Sequence, residues 1–162
     1  MWVVVTVVTF VVLVATYVTW TATRVDRLHA RATAAYLALD AQSLRRAAEA
    51  RELGEREDMV EAQTAARAVL TGHPEDRPAA ENELTRALRL AATKFESDSL
   101  SGVVEESRRL ALARQLHTDL VRDAKAVRRR PLVRMLRMTR RHPEPVFFDI
   151  DDPTLGPGDP VQ

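Results

Sequence analysis

The chain has 162 residues with 24 basic and 23 acidic side chains, a one-domain length and a net charge of +1 that gives no global pull towards nucleic acid or a membrane. It has no cysteine, which excludes a disulfide framework, a thiol nucleophile and thiolate-ligated zinc or iron–sulfur sites. The four histidines, at 29, 73, 117 and 142, are too dispersed to suggest a metal site by spacing, and aromatics, at 5%, offer few rings for stacking on bases.

Residues 2–22 carry no charge over 21 positions, and nine of them are valine. In water such a run favours a strand. In lipid only a helix satisfies its own backbone, and a helix of this length spans about 32 Å against a hydrocarbon core of roughly 30 Å. Trp2, Tyr17 and Trp20 stand near its ends, where amphipathic rings favour the headgroup level. No Lys or Arg precedes the run and no small-residue cleavage site follows it, so the expectation is an uncleaved signal-anchor, a single transmembrane helix. Arg24, Arg27 and Arg31 follow the span against Asp26 alone, which by the positive-inside rule places the bulk of the chain in the cytoplasm.

No Gly or Pro occurs before Gly54, so the membrane helix is free to run on as a stalk into a first soluble helix, about 24–53. Its seam is Val25, Leu28, Ala32, Ala35 and Leu39. A second helix over about 55–71 repeats the spacing at Met59, Ala62, Ala66 and Val69. The third, about 78–97, has Pro78 suited to its first turn and a seam of Leu84, Leu88, Ala91 and Phe95. The fourth, about 103–130, shows Leu110, Ala113, His117, Leu120, Ala124 and Val127. Gly72 with Pro74, Gly102 and Pro131 punctuate these segments. Alternating steps of three and four are those of coiled-coil-like helices packing on other helices. No stretch after residue 23 alternates with period two, so no sheet is expected. The predicted fold is all-α: a transmembrane helix over 2–22, then an elongated bundle of three or four helices over 24–130, with alanine-rich seams that bury little area per residue.

Charge is partitioned along the rest of the chain. Residues 113–141 hold 10 basic and 2 acidic side chains, whereas 142–162 hold 5 acidic, no basic and five prolines, the composition of an ordered-then-disordered acidic tail. Between Arg128, Arg129, Arg130 and the pair Arg140, Arg141, a short helix after Pro131 places Leu132, Val133 and Leu136 on one side. Arg134 and Arg137 join the other arginines as candidates for contact with an anionic surface. The competing reading of 131–141 is an end-cap of the bundle with solvated arginines. Nucleic acid fits less well, because no aromatic interleaving or groove-reading helix accompanies the charge. In the tail, Phe147 and Phe148 form an apolar island that either docks back on the bundle or binds a partner.

Candidates for catalysis are weak. Arg51-Glu52-Leu53-Gly54-Glu55 looks like the core of a Nudix box, a motif that holds magnesium against a diphosphate. Here Leu37 stands at the Gly position, Ser43 at the first Glu and Arg56 at the last. A cation where a metal ligand belongs removes the chemistry, so a Nudix-type hydrolase is only a remote alternative to a solvated face with i,i+4 pairs. His117 reads as a half-buried, hydrogen-bonded core histidine, because spacing places no partners for a ligand or catalytic role. Glu105 and Glu106, adjacent on a helix, point about 100° apart and form no carboxylate pair. No Gly-rich phosphate loop or G-x-S-x-G motif is present. No catalytic, cofactor-binding or metal residue is assigned, and no cofactor is expected.

Three stretches resemble the LemA family of bacterial membrane proteins. Leu39-Asp40-Ala41-Gln42-Ser43-Leu44-Arg45-Arg46 is similar to that family's I-D-V-Q-L-K-R-R after the membrane helix. Glu81-Asn82-Glu83-Leu84 resembles its E-N-E-L at the start of a later helix. The ending, with Pro131, Pro143, Pro145, Phe147 and Phe148 after an Arg-rich helix, resembles its proline-then-F-F tail. Order and rough spacing agree across nearly the whole chain. The chain diverges where Ala47-Ala48-Glu49-Ala50-Arg51 replaces the D-L-I-P-N-L-V that usually follows the first stretch, and where Leu116-His117 replaces a Tyr-Asn. The resemblance implies one N-terminal membrane helix, a soluble domain of long antiparallel helices and no established catalytic residues. The expected function is that of a non-catalytic, membrane-anchored scaffold or interaction protein. Its partners are the bilayer through 2–22, an unidentified protein and, through the basic segment, anionic headgroups.

Overall fold

With no breaker before Gly54, nothing in the sequence interrupts a very long helix, and the computed structural model contains one: α1 spans Trp2–Arg56, 55 residues. It is followed by α2 (Val60–Thr71), α3 (Arg77–Ala92) and α4 (Ser101–Arg128). The structure describes residues 1–95, 98–129, 131, 133 and 144–155. Among the described residues there are four helices and no strand, so the fold is all-helical with one long apolar N-terminal helix.

The turn after α1 lies later than Gly54 suggests. Helix continues through Gly54, which is buried, and a Cβ there would sit 3.0 Å from Gln63 Cβ and 3.1 Å from Gln63 N. This glycine serves close approach of α1 and α2 rather than termination. The reversal is made at Asp58, which adopts φ 55°, a left-handed conformation that a short polar side chain tolerates. The Met59 N–H then donates to Gly54 O at 2.9 Å, capping a carbonyl that the helix end leaves free, and Met59 packs beside Leu53 in the core. α2 consequently begins at Val60, five residues later than the periodicity alone suggests. Pro78 falls within the first turn of α3, where its missing N–H costs nothing. α3 ends at Ala92, short of the expected 97, through i→i+3 bonds from Thr93 N to Leu90 O (3.2 Å) and Lys94 N to Ala91 O (2.9 Å).

The chain divides into two compact units. The first draws on residues 1–34 and 119–146. In it Val25 packs with Val127 and Val133, and Ala32 with Val121 and Ala124. The apolar residues before Thr21 have no such cover: Phe10 is 66% exposed and Leu13 64%.

The second unit draws on residues 35–118 and 147–162. Its main core joins Ala50 and Leu53 of α1, Ala66 and Val69 of α2, and Leu84 and Leu88 of α3, all essentially inaccessible. α2 and α3 pack along each other. A smaller cluster brings Leu39 and Leu110 together with Phe148 and Ile150 of the tail. Across both units every seam residue named from the periodicity is buried or half-buried.

Candidate functional site

The most organised polar site in the second unit forms from residues that share the helical seams. On α1, Ser43 and Arg46 continue the buried row of Leu39 and lead to Ala50 and Leu53. On α3, Glu81 precedes Leu84 and Leu88, and on α4, Ser107 stands between Val103 and Leu110. Their spacing turns all four inward. Arg46 is 0% exposed and Glu81 1%. Arg46 Nη1 donates to Glu81 Oε2 at 2.5 Å and to Thr85 Oγ1 at 3.1 Å. Arg46 Nε donates to Ser107 Oγ at 2.9 Å, and Nη2 to Pro153 O at 3.4 Å. Ser43 Oγ donates to the other carboxylate oxygen of Glu81 at 2.6 Å.

Every guanidinium nitrogen of Arg46 and each carboxylate oxygen of Glu81 therefore has a protein partner, as a buried ion pair requires. Burial pushes the Arg46 guanidinium down from its ordinary value, and the Glu81 carboxylate pulls it back. An arginine so paired stays charged. Neither side chain meets solvent, so the pair is placed to fix the register of α1, α3, α4 and the tail.

The tail is strapped to the same unit by backbone and side chain together. Phe148 is 5% exposed and meets Tyr36 edge-on at 6.1 Å, while Phe147 is 44% exposed. Asp151 N donates to Asn82 Oδ1 at 2.8 Å, and Arg89 Nη2 donates to Asp152 O at 2.9 Å. A hydrogen bond from the Thr154 backbone holds the Asp152 carboxyl below the usual carboxylate range. Arg77 pairs with Asp40, tying the start of α3 to α1. Residues 39–46, 81–84 and the tail thus touch one another: Arg46 pairs with Glu81, Asn82 accepts from Asp151 N, and Leu39 packs with Phe148.

The other sequence candidates are placed as follows. Arg128 is half-buried and Arg129 exposed, whereas Arg130, Arg134, Arg137, Arg140 and Arg141 lie outside the described residues. Arg51 and Glu55 of the Nudix-like stretch form an i,i+4 pair at 3.7 Å on a half-exposed face, a contact worth little. Arg109 bridges Glu105 (3.1 Å) and Glu106 (2.8 Å). Among the described residues no group of three His, Asp or Glu side chains is placed to hold a metal ion. The buried ion pair was not read from the sequence. Its signal was present nonetheless, as charged residues standing in step with apolar seams at 46 and 81.

His117 is 2% exposed, lies 5.9 Å from the Tyr36 ring, and its Nδ1 has no hydrogen-bond partner among the described residues. Burial pushes its pKa below the ordinary 6.5. The folded state favours the neutral ring, so the stability it contributes is complete above pH 6.5 and is lost as pH falls from there through the lower folded value. We expect thermal melts of the full chain in detergent to weaken between about pH 7 and 5, and His117→Leu to flatten that slope. Parallel profiles for the two proteins would remove His117 as the titrating group.

Compared with family models, curated proteins and solved structures, the chain matches none of them.

Proposed function

We propose that this chain is a single-pass membrane protein, LemA-like, whose helical bundle acts as an interaction scaffold rather than a catalyst. One observation carries the membrane part. Five threonines interrupt the apolar stretch and Thr23 follows it, and each of these six hydroxyls donates to the carbonyl four residues back, at 2.8–2.9 Å. The threonine hydroxyl donors are so paired within the helix, which is what a lipid environment demands. A soluble core helix would cover its apolar window, and here none of it is buried. Continuous helix through residues 22–34 favours an anchor over a cleaved leader.

Arg24, Arg27 and Arg31 beyond the span favour a cytoplasmic bulk. The scaffold part rests on rigidity and exposure. The bundle is locked by a buried ion pair, while Leu37, Leu112 and Leu116 stand 62%, 66% and 58% exposed as faces for a protein partner. The likeness to the LemA family is carried by residues that bind one another, which favours a shared architecture over isolated matching words.

The test is topology. A cytoplasm-dependent reporter fused to the C-terminus is expected to be active, and the chain to stay in membranes through alkaline carbonate. Release by carbonate would overturn the anchor. Protease access to the C-terminus in intact spheroplasts would overturn the orientation. Crosslinking in membranes then identifies the neighbour.

A further inference from the structure

We propose that the C-terminal flank of the span holds a binding site for one anionic phospholipid headgroup, made by Arg24, Arg27 and Arg31 with Trp20 beneath them. The proposal rests on the reading of residues 2–22 as a membrane span. At about 100° per residue, the three arginines fall within an arc of about 60° on one face of α1. Asp26 stands roughly 130° from the middle of that arc. The stripe is therefore of a single sign, although the chain as a whole carries only +1. All three arginines are exposed.

The same face carries a groove of about 700 Å³, whose lining includes Thr16, Thr19, Trp20 and the three arginines. Its composition changes along the helix. At the lower end, the hydroxyls of Thr16 and Thr19 are turned back onto Val12 O and Ala15 O, leaving methyl groups for an acyl chain. At the upper end stand the guanidiniums, and between them the Arg24 Cζ lies 5.6 Å from the Trp20 ring centroid. That cation–π contact holds Arg24 in place before any ligand arrives.

The depth also matches. The headgroup layer of one leaflet is about 5–7 Å thick, and Arg24 and Arg27 lie about 3 and 7 Å beyond residue 22. Arg31 stands about 13 Å beyond and can reach back towards the layer along its own side chain. Guanidinium forks suit phosphate oxygens. With no carboxylate among the described residues that line the groove to receive an ammonium, a headgroup with net negative charge binds and a zwitterionic choline headgroup does not compete well.

The test uses the full chain with Trp2→Phe, so that Trp20 is the only tryptophan, reconstituted in vesicles that mix phosphatidylcholine and phosphatidylglycerol. Either lipid carries brominated chains in turn, and quenching of Trp20 reports which lipid sits beside it. Each arginine near an anionic lipid favours it by about fivefold, so quenching by the brominated phosphatidylglycerol is expected to exceed its mole fraction several-fold. Replacing Arg24, Arg27 and Arg31 with Gln together is expected to bring the preference to about one. Preference of that size, lost in the triple variant, supports the site. Equal quenching by both lipids in the parent, or a preference that survives the triple change, overturns the site and leaves the span intact. No quenching by either lipid overturns the span, and the site with it.

Discussion

Replacing Arg46 with Ala, or Glu81 with Ala, is expected to cost about 3–5 kcal/mol of stability, the largest single loss available from one polar change in this chain. The reason is the asymmetry of buried pairs. Two charges that are 0% and 1% exposed have given up water, and their compensation is one another together with Ser43, Thr85, Ser107 and the Pro153 carbonyl. Removing either partner leaves the other desolvated and unpaired. Thermal unfolding of the full chain in detergent should shift downward by roughly 10–20 °C. Changing both at once, Arg46→Met with Glu81→Leu, removes the orphan and should return most of the loss. A double-mutant cycle in which the two single losses simply add would show that the pair is not coupled. The double variant also separates stability from register. Tail docking, read by protease sensitivity near residue 153, should loosen even where the melting temperature recovers, since Pro153 O has lost its donor.

What the sequence revealed and what it concealed divide along the same physical line. Apolar periodicity is a local property, and Leu39, Val69, Leu88 and Val121 are all buried where steps of three and four put them. Gly54 misleads because a glycine ends helices and also lets helices approach, and only the neighbour Gln63 distinguishes the two uses. Asp58 hides a turn because its left-handed conformation is set by the reversal around it, not by its own preference. Arg46 and Glu81 are 35 positions apart, and their burial depends on each other, so neither alone announces it. The tail shows the same dependence on distant partners. Phe147 and Phe148 are the same residue type, yet Phe148 is 5% exposed against Tyr36 and Phe147 is 44% exposed, while Asn82 and Arg89 hold the backbone that follows. Residues 2–17 are exposed, so packing among the described residues says nothing of what covers them.

Leu88→Asp tests the apolar side of the same unit and is expected to unfold it under conditions where the parent is folded. Leu88 is 0% exposed, in a core with Leu53, Val69 and Leu84. Truncation to Ala there should cost about 2–5 kcal/mol through lost transfer energy and the cavity left behind. The aspartate adds a desolvated carboxylate to that loss. Arg46, the fully buried cation of the unit, is already engaged by Glu81, Thr85, Ser107 and Pro153 O, so the new charge competes with an existing pair. The sign of the pH dependence identifies the mechanism. A carboxyl forced into this core takes a raised folded pKa, so the penalty is full at neutral pH and is relieved as pH falls and the group is protonated. The variant should regain part of its helicity on mild acidification, in the very range where neutral His117 makes the parent lose stability. Helicity of Leu88→Asp and Leu88→Ala, followed by circular dichroism from pH 8 to pH 5, separates the two terms. An aspartate variant that melts with the parent at neutral pH would place residue 88 on the solvent side of α3 and dismantle the seam that orders this unit.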